Sequence, residues 1–262
     1  MQTNPFDFSP NEVVAFVLIF MRVAGLFLTA PIFSSRNIPI MVKASWILIV
    51  AFLIFPVVDF KLETLPVPGL PLGLAVIREL LVGFCVGMGA TLVFTGIQLA
   101  GQIVDIQMGL GMANIVDPMT STQISVMGQY YYFIATVVFL AADGHHLLLK
   151  GIVDSFDIIP LGQAHLSVAL GTKMMSLFSQ VFFIAFRIGA PVIGALFITN
   201  MALGIVARTV PQMNVFIVGM PLNLAVGLLI TAVSMGFFTF VMQGLFKGMY
   251  RDLAFLVQTM RQ

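Results

Sequence analysis

Charged side chains stand at Arg22, Arg78, Glu79, Asp105, Asp117, Arg187 and Arg208, where the surrounding sequence is apolar. A charge at the centre of a membrane span costs about 2.5–3.5 kcal/mol on insertion scales, so each should face protein or water. One chemistry open to such residues is a proton or ion path. Arginines outnumber carboxylates in this set, no lysine lies mid-span, and a guanidinium does not give up its proton in practice. Pairing between helices or between subunits is therefore the expected role.

Asp143-Gly144-His145-His146 is the other cluster of chemistry-bearing types. Adjacent histidines on a helix point about 100° apart, and no further His or Cys follows at a normal ligand spacing. A polar turn is expected there, and no metal site. His165 is alone, and the single cysteine, Cys85, lies in an apolar run, which excludes disulfides within the chain and cysteine-based metal sites. No nucleophile elbow, Walker A loop, zincin motif or dinucleotide fingerprint occurs. The serines at 121, 125, 167, 176, 179 and 234 have no histidine at a motif spacing. No catalytic residue and no cofactor is expected. Were the chain an intramembrane enzyme, His145 and His146 would be its only dyad.

These residues need elements to position them, and composition says which. The chain has 262 residues, 60% hydrophobic and 9% charged. Soluble domains carry about 25% charged residues, so this is a polytopic membrane protein, and its expected class is all-α. A net charge of +1 without a basic block offers nothing to nucleic acid. The N-terminus lacks a positive n-region and a small-residue cleavage site, so the first apolar run reads as a retained span. About six hydrophobic segments follow, some of them kinked helices or hairpins, in one domain over residues 1–262: first helical segments to 100, an irregular stretch at 101–123, and helical segments from 124 to the end.

The first span, Asn11 to Ala30, opens with Ser9-Pro10 as cap and first turn. The second, Ala44 to Val58, carries Trp46 near one end, as an interfacial aromatic would be placed. The third, about Leu74 to Ala100, contains Gly83-x-x-x-Gly87 for close helix packing. The fourth is Ile124 to Ala142. From Val168 to Phe246 the chain is apolar apart from Lys173, Arg187 and Arg208, and Ala190-Pro191 and Met220-Pro221 read as kinks or breaks. Between Gly204 and Pro221, Arg208, Gln212 and Asn214 bring hydrogen-bonding groups that should dock on other backbone, as a structural turn or a subunit contact. Arg36 and Lys43 place the first turn in the cytoplasm, and the basic tail also reads as cytoplasmic. Six full crossings would return the tail outside, so one segment should fail to cross.

The stretch from Gly101 to Gln123 differs from its uncharged flanks. Gly109, Gly111 and Pro118 make a poor helix, while Met108, Met112 and Met119 with their aliphatic neighbours make a poor solvated loop. Such a segment is tolerated where protein buries it or where it lines a cavity, so it reads as a gate or plug. Flexible methionines suit a seal that closes around varied shapes; the opposing view is that the 17 methionines and 25 phenylalanines are ordinary packing or lipid-facing groups.

Several segments together resemble the FliR family, the R subunit of the flagellar type III export gate, and its virulence-secretion relatives. They are Phe20-Met-Arg-Val-Ala-Gly-Leu-Phe with Ala30-Pro31, Arg78-Glu79, Gly101-Gln-Ile-Val-Asp with Met108-Gly-Leu and Asp117-Pro118, Asp143-Gly-His with Asp154-Ser and Pro160, and Ala202-Leu-Gly-Ile-Val-Ala-Arg-Thr-Val-Pro-Gln-Met-Asn-Val-Phe with Gly219-x-Pro221. Their order across nearly the full length makes the match specific. The resemblance implies a subunit of a protein-conducting gate in the bacterial inner membrane, within the flagellar basal body. Its partners would be P and Q subunits, the export switch protein, the large export-gate subunit, membrane lipids and unfolded flagellar proteins in transit. No fused switch-protein domain is expected beyond Gln262. In the family the loop matching Met108 to Gln123 closes the pore from inside, which assigns the plug to Met108, Gly109, Leu110, Gly111, Met112, Ala113, Asn114, Ile115, Val116, Asp117, Pro118 and Met119. Some members carry phenylalanine where this chain has Met112, Asn114, Ile115 and Val116, so an aliphatic and methionine seal is expected here. The alternative function is a secondary transporter or channel for a small solute, which broken helices and buried charges also fit.

Overall fold

The computed structural model describes residues 9–58, 69–110, 125–165, 167–212 and 214–261. Helix α1 (Pro10–Thr29) starts where Ser9 and Pro10 dictate. The Ser9 hydroxyl accepts from the Glu12 N–H at 3.3 Å, and the Glu12 carboxylate accepts from the Ser9 N–H at 2.7 Å. This capping box satisfies two backbone donors that a helix start otherwise leaves open. The following helices are α2 (Ile40–Ile54), α3 (Leu70–Met108), α4 (Val126–Ala141), α5 (Gly144–Ile158), α6 (Val168–Thr209), α7 (Val215–Val233) and α8 (Met235–Thr259). No strand occurs among the described residues.

Helices α1, α3 and α6 are long and apolar enough to cross a membrane. Helices α4 with α5, and α7 with α8, meet the same measure only as pairs, each bent by more than 40° at a short break. The chain is an all-α membrane protein, with three such helices among the described residues, or up to five if each bent pair counts as one span.

Several boundaries differ from expectation. Helix α3 has 39 residues and continues past Ala100 to Met108, so the first third of the irregular stretch is helical. Gly101 is there for packing: a Cβ on it would lie 2.5 Å from the Gly128 Cα of α4. Helix α6 runs for 42 residues through Pro191 without a break, since a proline removes one backbone bond without ending a membrane helix that its neighbours support. Pro221 likewise lies inside α7. The polar segment after Ala142 is not merely a turn; it forms α5, which buries Leu148, Ile152, Ser155 and Phe156 along one face.

The chain forms two compact units. The first comprises residues 1–92, 143–177 and 247–262. Its centre is the crossing of α1 on α3, where the backbones approach so closely that a Cβ on Gly25 would lie 2.7 Å from the Phe84 nitrogen and one on Gly83 2.9 Å from the Leu26 nitrogen. The chain's end closes this unit: the Tyr250 hydroxyl donates to Asp154 at 2.7 Å, and Lys173 pairs with Asp252 at 2.7 Å. The second unit comprises residues 93–142 and 178–246. Phe94, Phe139 and Phe246 form its aromatic centre, with ring centroids 5.1–5.6 Å apart.

Candidate functional site

On α1, Arg22 shares the buried face with Leu18, Ile19 and Leu26, so helical spacing carries its guanidinium into the first unit's core. Arg22 and Glu79 are both fully buried. The guanidinium donates through Nε to Glu79 Oε2 and through Nη2 to Glu79 Oε1 at 3.0 Å, a two-pronged ion pair. Nη2 also donates to the Ile159 carbonyl at 3.0 Å, and Nη1 to the Ser155 carbonyl at 2.9 Å and hydroxyl at 3.1 Å. The Phe156 ring lies over it, 4.1 Å from Cζ. Glu79 Oε1 accepts in addition from the Gly162 N–H at 2.8 Å. Every guanidinium nitrogen is engaged and the charge is neutralised in place, which makes burial of this pair tolerable. The cluster stitches α1, α3 and the end of α5 together. It offers no open position for a substrate.

Arg78, one residue from Glu79, is exposed; neighbouring helix positions point about 100° apart, so one enters the core and the other leaves it. Neither type nor spacing marks Ser155, Phe156, Ile159 and Gly162 in the sequence, apart from the Asp154-Ser pair of the family resemblance. Their role depends on where α5 docks, which no local pattern encodes.

In the second unit Asp105 is buried, and its Oδ1 accepts from the Met127 N–H in the first turn of α4 at 3.2 Å. A carboxylate is favoured beside unsatisfied helix N–H groups. Met108 is the last residue of α3 and is 1% exposed. It packs on α7, where a Cβ on Gly227 would lie 2.7 Å from Met108 Cγ. A helix face therefore does explain this methionine, although it lies in the stretch whose glycines and proline read as a poor helix. Gly109 follows with φ +85°, a left-handed conformation suited to glycine, and its N–H donates to the Ile106 carbonyl at 3.2 Å. Leu110 is half-buried. Gly111, Met112, Ala113, Asn114, Ile115, Val116, Asp117, Pro118 and Met119 lie outside the described residues.

Arg187, Arg208, Gln212 and Asn214 are exposed. The Asn214 side chain accepts from the Ile217 N–H at 3.4 Å, at the start of α7. No ion pair reaches Arg187 or Arg208 among the described residues. The structure thus pairs the arginine of α1 and leaves those of α6 facing outward.

At the α4–α5 turn, Asp143 precedes α5 in a left-handed conformation, φ 53°. His146 Nδ1 lies 3.3 Å from Asp143 Oδ1, and the two imidazole centroids are 4.0 Å apart. Helical spacing alone separates adjacent histidines, yet here the two rings meet and the Asp143 carboxylate lies beside them.

The sequence profile of bacterial export proteins, family 1, matches residues 13–249. The chain belongs to this family, the FliR family. It is 38% identical over 236 residues to the flagellar biosynthetic protein FliR of Bacillus subtilis, covering 89% of this chain and 90% of that protein. The Escherichia coli FliR is 31% identical over 90% of each chain, and that of Aquifex aeolicus 25% identical over 97% of each. The family match spans the Arg22–Glu79 cluster, Asp105 and the whole 101–123 stretch. The FliR-family chain is therefore a flagellar biosynthetic export component of the membrane.

Proposed function

We propose that this chain is a subunit of the flagellar export gate. With P and Q subunits it forms a protein-conducting pore for unfolded flagellar proteins, in the bacterial inner membrane at the flagellar basal body. The export switch protein and the large export-gate subunit are further partners, and no bond is made or broken by this chain. The observation that carries the reading is Arg187, which sits exposed near the middle of a 42-residue apolar helix. Lipid does not accommodate such a charge cheaply, whereas a neighbouring subunit supplies acceptors for it. The broad apolar exposure along α2, including Trp46, Ile49, Phe52 and Leu53, fits the same view of packing faces shared between lipid and partners.

Residues 108–119 are the plug of the closed pore. What supports this is the anchoring of both flanks: Met108 in the second unit's core, Asp105 on the start of α4, and a glycine hinge at 109. Gly109 and Gly111 supply backbone freedom, and methionine and aliphatic side chains exclude water. Deleting 110–119 in the assembled complex should raise its ion conductance in planar bilayers. A complex that conducts no better than the intact one would remove the plug. The subunit reading is tested apart from it, by the mass of the natively extracted particle: several small hydrophobic subunits with this chain are expected, and a lone chain that binds a small solute would favour a transporter instead.

A further inference from the structure

Apart from the Arg22–Glu79 cluster and the 101–123 stretch, the α4–α5 turn gathers Asp143, His145 and His146, which each offer one ligand atom within 4.8 Å of the others. We propose that this turn binds a divalent transition cation of the zinc class, through an Asp143 carboxylate oxygen and one imidazole nitrogen from each histidine. This proposal stands independently of the gate reading.

Asp143 adopts φ 53° and ψ 27° as the residue before α5, and its carboxylate makes no capping bond to the helix N–H groups. The carboxylate lies 3.3 Å from His146 Nδ1. The imidazoles face each other at 4.0 Å with a 37° tilt. An imidazole nitrogen is the commonest metal ligand among side-chain atoms. His145 Nδ1 is the second observation: on a half-buried residue, this atom is itself buried and has no hydrogen-bond partner among the described residues. A buried polar atom without a partner carries a desolvation cost, and a bound cation would provide the missing interaction. The side chains of Asp143 and His146 are 76% and 66% exposed, so a hydrated ion reaches the turn and the side chains are free to rotate. In a tetrahedral zinc site the ligand atoms stand roughly 3.3 Å apart, a contraction from 4.8 Å that side-chain rotation supplies. Two imidazoles and one carboxylate select zinc, nickel, cobalt or copper over magnesium or calcium, which prefer oxygen. Three protein ligands leave at least one position for water.

The test uses the full chain in detergent without a histidine tag, titrated calorimetrically with Zn2+ and, in parallel, Mg2+. One Zn2+ per chain and no Mg2+ binding is expected. Asp143→Asn, a residue that tolerates the left-handed backbone, and His146→Ala should each weaken Zn2+ by about tenfold or more, given that even outer-shell changes cost about 10–100-fold. The double variant His145→Ala/His146→Ala should lose the site, with His165 left as the remaining histidine. Unchanged Zn2+ binding in the double variant, equal binding of Mg2+, or no Zn2+ binding by the intact chain would each overturn the proposal. Should a variant lose its helical circular dichroism, X-ray absorption of the zinc-loaded intact chain decides: two imidazoles at the metal support the site, and one or none overturns it.

Discussion

Arg22 and Glu79 show how a charge is kept inside an apolar chain. Each is fully buried, and each is neutralised by the other with backbone groups filling the remaining positions. Removing one partner of a buried pair leaves the other uncompensated, at about 3–5 kcal/mol. Arg22→Met or Glu79→Met should therefore lower the thermal stability of the extracted protein sharply. The double variant Arg22→Met/Glu79→Met should recover part of that loss, because no isolated charge remains. If the double variant unfolds as early as the worse single one, the pair is not the reason for the instability. Gly109→Ala tests a different residue-scale device. Space is present, with the Met220 Cγ 3.5 Å from where a Cβ would sit, but φ is +85°. The expected cost is about 1–2 kcal/mol of backbone strain, seen as an earlier unfolding midpoint.

At the scale of elements, small residues decide how closely helices cross. Gly83→Leu places a side chain against the α1 backbone at Arg22 and Leu26 and should separate α1 from α3, abolishing the ion pair with it. Gly171→Ala, in α6 with nothing within 4 Å, should instead be neutral or stabilising by up to about 1 kcal/mol. Comparing the accumulation of both variants in membranes checks the contrast; equal behaviour would mean that the crossing is not close-packed. This part of the fold was readable from sequence, because Ser9-Pro10 and Gly83-x-x-x-Gly87 act through local sterics and hydrogen bonding. Other parts were not. The helix through Pro191 and the helical run from Gly101 to Met108 rest on tertiary support that overrides local propensity. Likewise the charges in apolar runs could be recognised as needing partners, but Ser155, Ile159 and Gly162 contribute to the Arg22–Glu79 cluster mainly through backbone atoms, which residue type does not reveal.

For the whole molecule, the family places the chain in flagellar export, and the outward arginines point to neighbours. Arg187→Leu distinguishes lipid from protein at that surface. Against lipid, the change should raise the stability of the isolated chain and leave assembly intact. Against a partner, it should leave the isolated chain folded but reduce co-purification of the other small subunits, the result expected here. The first unit also carries a consequence for how the chain is made. Its arginine comes from residue 22, its carboxylate from 79, its carbonyl acceptors from 155 and 159, and its closing contacts from 250 and 252. At about 5–20 residues per second of synthesis, Arg22 waits on the order of ten seconds for its last acceptor. During that interval the guanidinium has only the Glu79 carboxylate to pair with and lacks its Ser155 and Ile159 acceptors, so a ribosome that stalls before residue 159 leaves a buried charge on α1 only partly satisfied.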